Sequence, residues 1–214
     1  MLKALKSYWA FTHDLYKLVM LVLTPILLVI INIYLYANDV GSGLECFLIL
    51  YGVDTISDLF FMNGLYKKSN DSLEFLQSSS KFQEMMREIV IVDIVRRVLI
   101  YHIPYFVILG CSMGNPEAME WCRVMAVLPW LEVLIAQVVT LVARHYVAWN
   151  QVYACVAIGY IIMLVLMIFI MLANGIKGAI SEVGMNAVLM VLVLIASIGT
   201  VWYTDKKVRE SYYD

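Results

Sequence analysis

The chain has 214 residues, 63% of them apolar and 15% charged, with mean hydropathy +0.82 and formal net charge −2. An ordinary soluble domain is about 45–50% apolar and about 25% charged, so a water-soluble fold of this length could not hide so much apolar surface. The near-zero balance offers no basic face for nucleic acid, and the four cysteines (Cys46, Cys111, Cys122, Cys155) form neither CxxC nor a His-paired zinc spacing. They read as unpaired thiols, with a Cys111–Cys122 disulfide as the alternative.

The N-terminus spaces Lys3, Lys6, His13 and Lys17 along a helix, with Leu5, Tyr8, Trp9, Leu15 and Tyr16 on much of the other side. That pattern predicts an amphipathic surface helix over 2–17 rather than an ordinary flanking tail. About 20 apolar residues are needed to cross roughly 30 Å of hydrocarbon. Six segments qualify in chain order: Leu18–Tyr36, Leu44–Tyr66, Ile89–Leu109, Val124–Val142, Val152–Leu172 and Met185–Tyr203. Turn signals separate them at NDVGSG (38–43), GNP (114–116) and NGIKG (174–178). The first run lacks a small-x-small cleavage site and is too long for a signal peptide. The expected fold is all-α, one polytopic transmembrane domain over 1–214.

Cytoplasmic loops collect Lys and Arg. With both termini inside, all but two of the 15 Lys and Arg fall on the inner side; Arg123 and Lys177 are the exceptions. The sizeable inner loop then follows the second span. There Asp71 and Glu74 have capping-box spacing, with Asp replacing Ser or Thr, and Ser80 with Gln83 forms a second box opening span three. The short helix between them carries Leu73, Phe75 and Leu76. Two turns are marginal alone in water, so lipid, the loop's second arm or another protein must hold them.

Charges also lie inside the spans, where each costs about 2.5–3.5 kcal/mol on insertion scales and so faces protein or water. Asp54 and Asp58 share a face of span two, while Asp93, Arg96 and Arg97 sit at i, i+3 and i+4 on span three. Counting about 1.5 Å per residue, Asp58 lies about 12 Å and Arg96 about 10 Å from the inner edge. The matched depths predict an Asp58–Arg96/Arg97 pair, either a static tie or a coupling element. Asp54 and Glu132 fall nearer the midplane, as cavity-lining groups or as protonated, hydrogen-bonded acids. Met163, Met167 and Met171 form a stripe on span five, facing core or lipid, or else adaptable to cargo.

The elbow, the six spans, the stretch NDSLEFLQSSS (70–80) and the tail KKVRESYYD (206–214) together resemble the membrane subunit of a type-2 ABC transporter. Among these the chain is most similar to Gram-positive peptide exporters such as the phenol-soluble modulin exporter. The resemblance implies an elbow helix at 2–17 and a coupling helix at 71–78 that presents Asp71, Leu73, Glu74, Phe75 and Leu76 to a separate ABC ATPase subunit. It also implies dimerisation with a second copy or a paralogue, a place in the bacterial plasma membrane with both termini cytoplasmic, and amphipathic or antimicrobial peptide cargo. The residues themselves show no GxxxxGK[ST] phosphate loop. No cofactor is expected on this chain; ATP and Mg belong to the partner.

Two other readings were weighed. Gly110–Gly114 matches GxSxG, as in rhomboid proteases, but a serine nucleophile needs a nearby histidine. His102 lies ten residues upstream on the same helix, about 15 Å from Ser112; His13 and His145 fall on the opposite side. A substrate-binding component of a vitamin importer has similar size and span number, but the long inner loop and the ESYYD tail speak against it.

Overall fold

A computed structural model describes residues 2–11, 14–37, 44–66, 81–146, 152–175 and 182–213. Among them every regular element is helical. In chain order these are α1 (Leu2–Phe11), α2 (Asp14–Lys17), a π-helical stretch (Leu18–Leu23), α3 (Thr24–Ala37), α4 (Leu44–Tyr66), α5 (Phe82–Cys111), α6 (Pro116–Met125), α7 (Leu128–Tyr146), α8 (Val152–Gly175) and α9 (Glu182–Tyr213).

Among the described residues, three helical segments are long and apolar enough to cross a membrane: Asp14–Leu35, Phe82–Cys111 and Gly184–Arg209. Leu128–Val142 and Tyr153–Leu166 are apolar but shorter. Bulky apolar side chains point outward along α3 (Ile26, Leu27, Ile30), α8 (Ile158, Ile161, Val165) and α9 (Val191, Leu194, Ile198), while charged groups are enclosed. Exposed apolar surface of this extent marks a protein or membrane contact. The arrangement is compatible with membrane insertion.

Prolines set the breaks. The sequence predicts a span over Val124–Val142 interrupted by Pro129 and Glu132; α6 ends at Met125 and α7 starts anew at Leu128. Pro129 has no N–H to give the carbonyl of Met125 and its ring would clash with it, so Pro129 fits only the first turn of a new helix. Asn115 starts α6 by accepting from the backbone N–H groups of Glu117 and Ala118, with Pro116 in its first turn. Gly114 supplies the left-handed turn before it, at φ +99°. In the first span, the Thr24 N–H reaches back five residues to the Val19 carbonyl. Pro25 follows, and the widened turn accommodates its missing donor.

Of the elbow expected over 2–17, the described residues are helical and form α1 and α2. α1 packs on the start of α5, burying Tyr8 and leaving Leu5 and Trp9 exposed. α2 runs on into the first span. Lys3 Nζ donates to Glu84 Oε1 at 2.6 Å, a bond that holds the Lys3 ammonium above its ordinary pKa. Lys17 pairs with Asp14 at 2.8 Å and lies over the Trp9 ring.

α5 is the hub, touching α1, α3, α4, α6, α7 and α9. Of the Ser80–Gln83 box expected at its start, Ser80 lies outside the described residues. Lys81 stands at the cap position and makes no side-chain capping bond, and the Gln83 side chain donates to Asp205 of α9 at 2.9 Å. Arg87 joins it, donating to the same Asp205 oxygen at 2.6 Å, and a carboxylate is a stronger acceptor than a backbone group.

α4 and α8 meet through small residues. The Tyr160 ring sits where a Cβ on Gly52 would collide with it, and Tyr51 occupies the equivalent place over Gly159. The rings stack edge to face at 4.9 Å, and the Tyr160 hydroxyl donates to the Leu48 carbonyl at 2.7 Å. Two apolar cores result. One gathers Phe47, Leu50, Tyr51, Ile100, Val133, Ala136 and Met163; the other gathers Tyr8, Tyr16, Met20, Phe82, Met86 and Ile89. Between them lies a layer of charge.

Candidate functional site: a buried charge cluster

Helical spacing builds the cluster. Asp54 and Asp58 are one turn apart on α4; Asp93, Arg96 and Arg97 occupy one turn of α5. The two helices run antiparallel, which brings the two turns face to face. All five side chains are buried, with Asp54 at 0% exposure and Arg97 at 1%.

Asp54 is the centre. Its Oδ1 accepts from Arg96 Nη2 at 2.6 Å and its Oδ2 from Arg97 Nε at 2.7 Å. The Tyr101 hydroxyl donates to the same Oδ2 at 3.2 Å. Asp93 Oδ1 takes two bonds from Arg96, at 3.1 Å from Nε and 2.8 Å from Nη2. Arg97 Nη2 stands 3.4 Å from both Asp58 and Asp93. Its Nη1 donates to Thr140 of α7 at 3.3 Å, so a third helix joins. On the other side, the Arg96 guanidinium lies over the Tyr16 ring, 5.7 Å from its centre. Tyr8, from α1, is near enough to feel Arg96, Asp93 and Asp58; desolvation pushes its pKa up to about 12.

Every carboxylate here has a guanidinium partner, the condition under which buried charge is tolerated. Two guanidiniums face three carboxylates, so the paired cluster carries one excess negative charge when all are ionised. Such a cluster contributes little net stability over an apolar packing of the same volume, but removing one partner strands the rest. What the geometry does is fix register. α4 cannot slide along α5 without breaking several charge-assisted bonds at once.

The depth count of the sequence points to Asp58 as the partner of Arg96 and Arg97. Asp58 does face Arg97, yet Asp54 makes the short bonds to both arginines. Asp54 therefore sits inside an ion network and not on an open cavity. Glu132, the other midplane acid, is fully buried near the start of α7, and neither carboxylate oxygen has a hydrogen-bond partner. Met163 is fully buried in the apolar core; the side chains of Met167 and Met171 fall outside what the structure describes. The coupling-helix residues Asp71, Leu73, Glu74, Phe75 and Leu76 lie outside the described residues. Tyr101 and Thr140 were missed by sequence reasoning. Tyr101 is four residues past Arg97 and so shares its face, which is a legible signal; Thr140 has none.

Around the GxSxG match, Ser112 is buried and accepts from the Cys122 thiol at 3.2 Å. His102 donates from Nδ1 to the Val98 carbonyl at 2.7 Å and stacks on Trp130 at 4.5 Å. All four cysteines are free thiols, so the alternative Cys111–Cys122 disulfide is not formed. A separate groove of about 420 Å³ opens between α5 and α9, walled by Ile91, Ile94, Val95, Ile198 and Trp202. No protein-family model, no curated protein and no solved structure matches the chain.

Proposed function

We propose that the chain is the six-span membrane subunit of an ATP-driven exporter. In this reading it works as a dimer with itself or a paralogue, in the plasma membrane, and exports amphipathic or antimicrobial peptides. It carries no phosphate-binding loop of its own, so the motor is a separate ABC ATPase with its own ATP and Mg. The supports are the Lys and Arg asymmetry, the LEFLQSSS and ESYYD stretches, and the outward-facing apolar helices.

One observation carries the reading: the Asp54 clamp ties together the two helices that flank residues 67–80. A push on that connecting stretch would shift α4 and α5 as one body, and Thr140 would hand the shift to α7. A loop that is to transmit work from a motor needs such a rigid follower. The joint with the motor would be the apolar trio Leu73, Phe75 and Leu76. A rigid body displaced by a nucleotide-driven partner is a recognised route to alternating access.

The test is reconstitution with an ABC ATPase subunit. Leu73→Ser, Phe75→Ser and Leu76→Ser combined should leave the chain in the membrane but abolish its effect on ATPase turnover and stop peptide efflux. Efflux that survives this change, or that proceeds with no ATPase present, would overturn the proposal.

A further inference from the structure

Glu132 has no role in the cluster. It is wholly enclosed, and both carboxylate oxygens lack a hydrogen-bond donor. The nearby cations are already taken: Arg96 is bound to Asp54 and Asp93, and Arg97 to Asp54 and Thr140. Thr140 is two turns further along α7, about 12 Å from Glu132 by helical rise, so Arg97 is held away from it. Among the described residues, what does face Glu132 adds no positive charge. From α4 it feels Asp54, from α5 Tyr101, and from α8 Tyr160. α9 packs on α7 through Ser197 and Gln137, and carries no titratable residue between Val183 and Trp202.

An ionised carboxylate in such a place is held by nothing, and its burial would cost many kcal/mol. The oxygens accept no donor, and the enclosed position admits no bulky cation. A proton needs no volume and brings the missing charge. We propose that Glu132 is a proton-binding site. A proton joins one carboxylate oxygen, forming an O–H bond with no redox change, and returns to water when it leaves. Glu132 sits four residues into α7, about 6 Å along the axis from its first residue, Leu128. Release needs that end of the bundle to admit water, so proton exchange reports its opening. Tyr101, whose hydroxyl is bonded to Asp54, lies between this acid and the charge cluster and links the two electrostatically.

The test needs no ATPase, so it stands or falls apart from the exporter reading. The full chain, reconstituted in lipid at pH 7, is examined by infrared spectroscopy with and without ¹³C-labelled glutamate. A protonated carboxylic-acid carbonyl band that shifts down on glutamate labelling, and is lost in Glu132→Gln, is the expected result. Absence of any label-sensitive acid band in the unmodified chain overturns the proposal, and so does survival of that band in Glu132→Gln. Should that variant fail to fold, a second variant, Glu132→Asp, replaces it. The glutamate-label-sensitive band is then expected to give way to one that ¹³C-aspartate shifts, and an unchanged glutamate band refutes the site.

Discussion

Replacing Asp54 by Asn keeps the volume and removes one charge. The carboxylate accepts from three donors: Arg96 at 2.6 Å, Arg97 at 2.7 Å and Tyr101 at 3.2 Å. An amide has one acceptor oxygen and would turn its NH2 toward a guanidinium that can only donate. One of the two charge-assisted bonds at a site with 0% exposure is lost, and the other now ends on a neutral acceptor. Breaking one side of a buried ion pair costs about 3–5 kcal/mol. For a chain of this size, about 2–4 °C of melting temperature goes with each kcal/mol, so Asp54→Asn should melt on the order of 10 °C lower in detergent. Asp58→Asn touches a longer 3.4 Å contact and should cost less. The assay is thermal unfolding by intrinsic tryptophan fluorescence, with both variants at equal concentration in one detergent. Should Asp58→Asn prove the more damaging, Asp54 is not the centre of the cluster and the reasoning fails.

Arg97→Lys keeps the charge but cannot reach Asp54, Asp58 and Thr140 from one planar fork. It should lower the melting temperature nearly as far as Asp54→Asn, and a lysine variant with unchanged melting would refute the claim that fork geometry matters. Gly159→Ala drives a Cβ into the Tyr51 hydroxyl and to 3.0 Å from Val139 Cγ2; overpacking of this kind costs about 1–3 kcal/mol, and pairing it with Tyr51→Phe should recover part of the loss in the same melt. Tyr8 titrates at about 12 in place against 10.0 free, so its neutral form favours docking of α1. That contribution is whole below pH 10 and fades as pH rises from 10 to 12. Trp9 fluorescence should report α1 leaving α5 across that window, and Tyr8→Phe should remove the dependence.

The helical class and the break at 112–115 were readable because they depend on local chemistry. Runs of apolar residues, Asn-Pro at 115–116 and glycine at 114 act within a few residues. The Pro129 break was legible, since a proline five residues into an apolar run must start a helix or kink one. The choice between Asp54 and Asp58 was not legible. A depth count fixes position along the helix axis, but contact depends also on rotation about it and on where the helix begins. α5 begins at Phe82, seven residues before the apolar run that set the count. The Gln83–Arg87–Asp205 junction joins residues more than a hundred apart, and no periodicity signals such a tie. Glu132 stood out as an acid in an apolar run, yet its lack of a partner is a property of three other helices.

The crossed tyrosines have a mechanical corollary. Tyr51 fills the notch of Gly159 and Tyr160 that of Gly52, so each helix is both bolt and socket to the other. A one-residue slip or a modest twist of α8 would ram an aromatic ring into backbone. Only two residues beyond Gly52, Asp54 grips α5 by charge. α4 is therefore pinned on both flanks, from one side by shape and from the other by electrostatics, and α8, α4 and α5 travel as a single slab. Any rearrangement of this bundle has its sliding plane elsewhere, along the seams that α3 and α9 make with that slab.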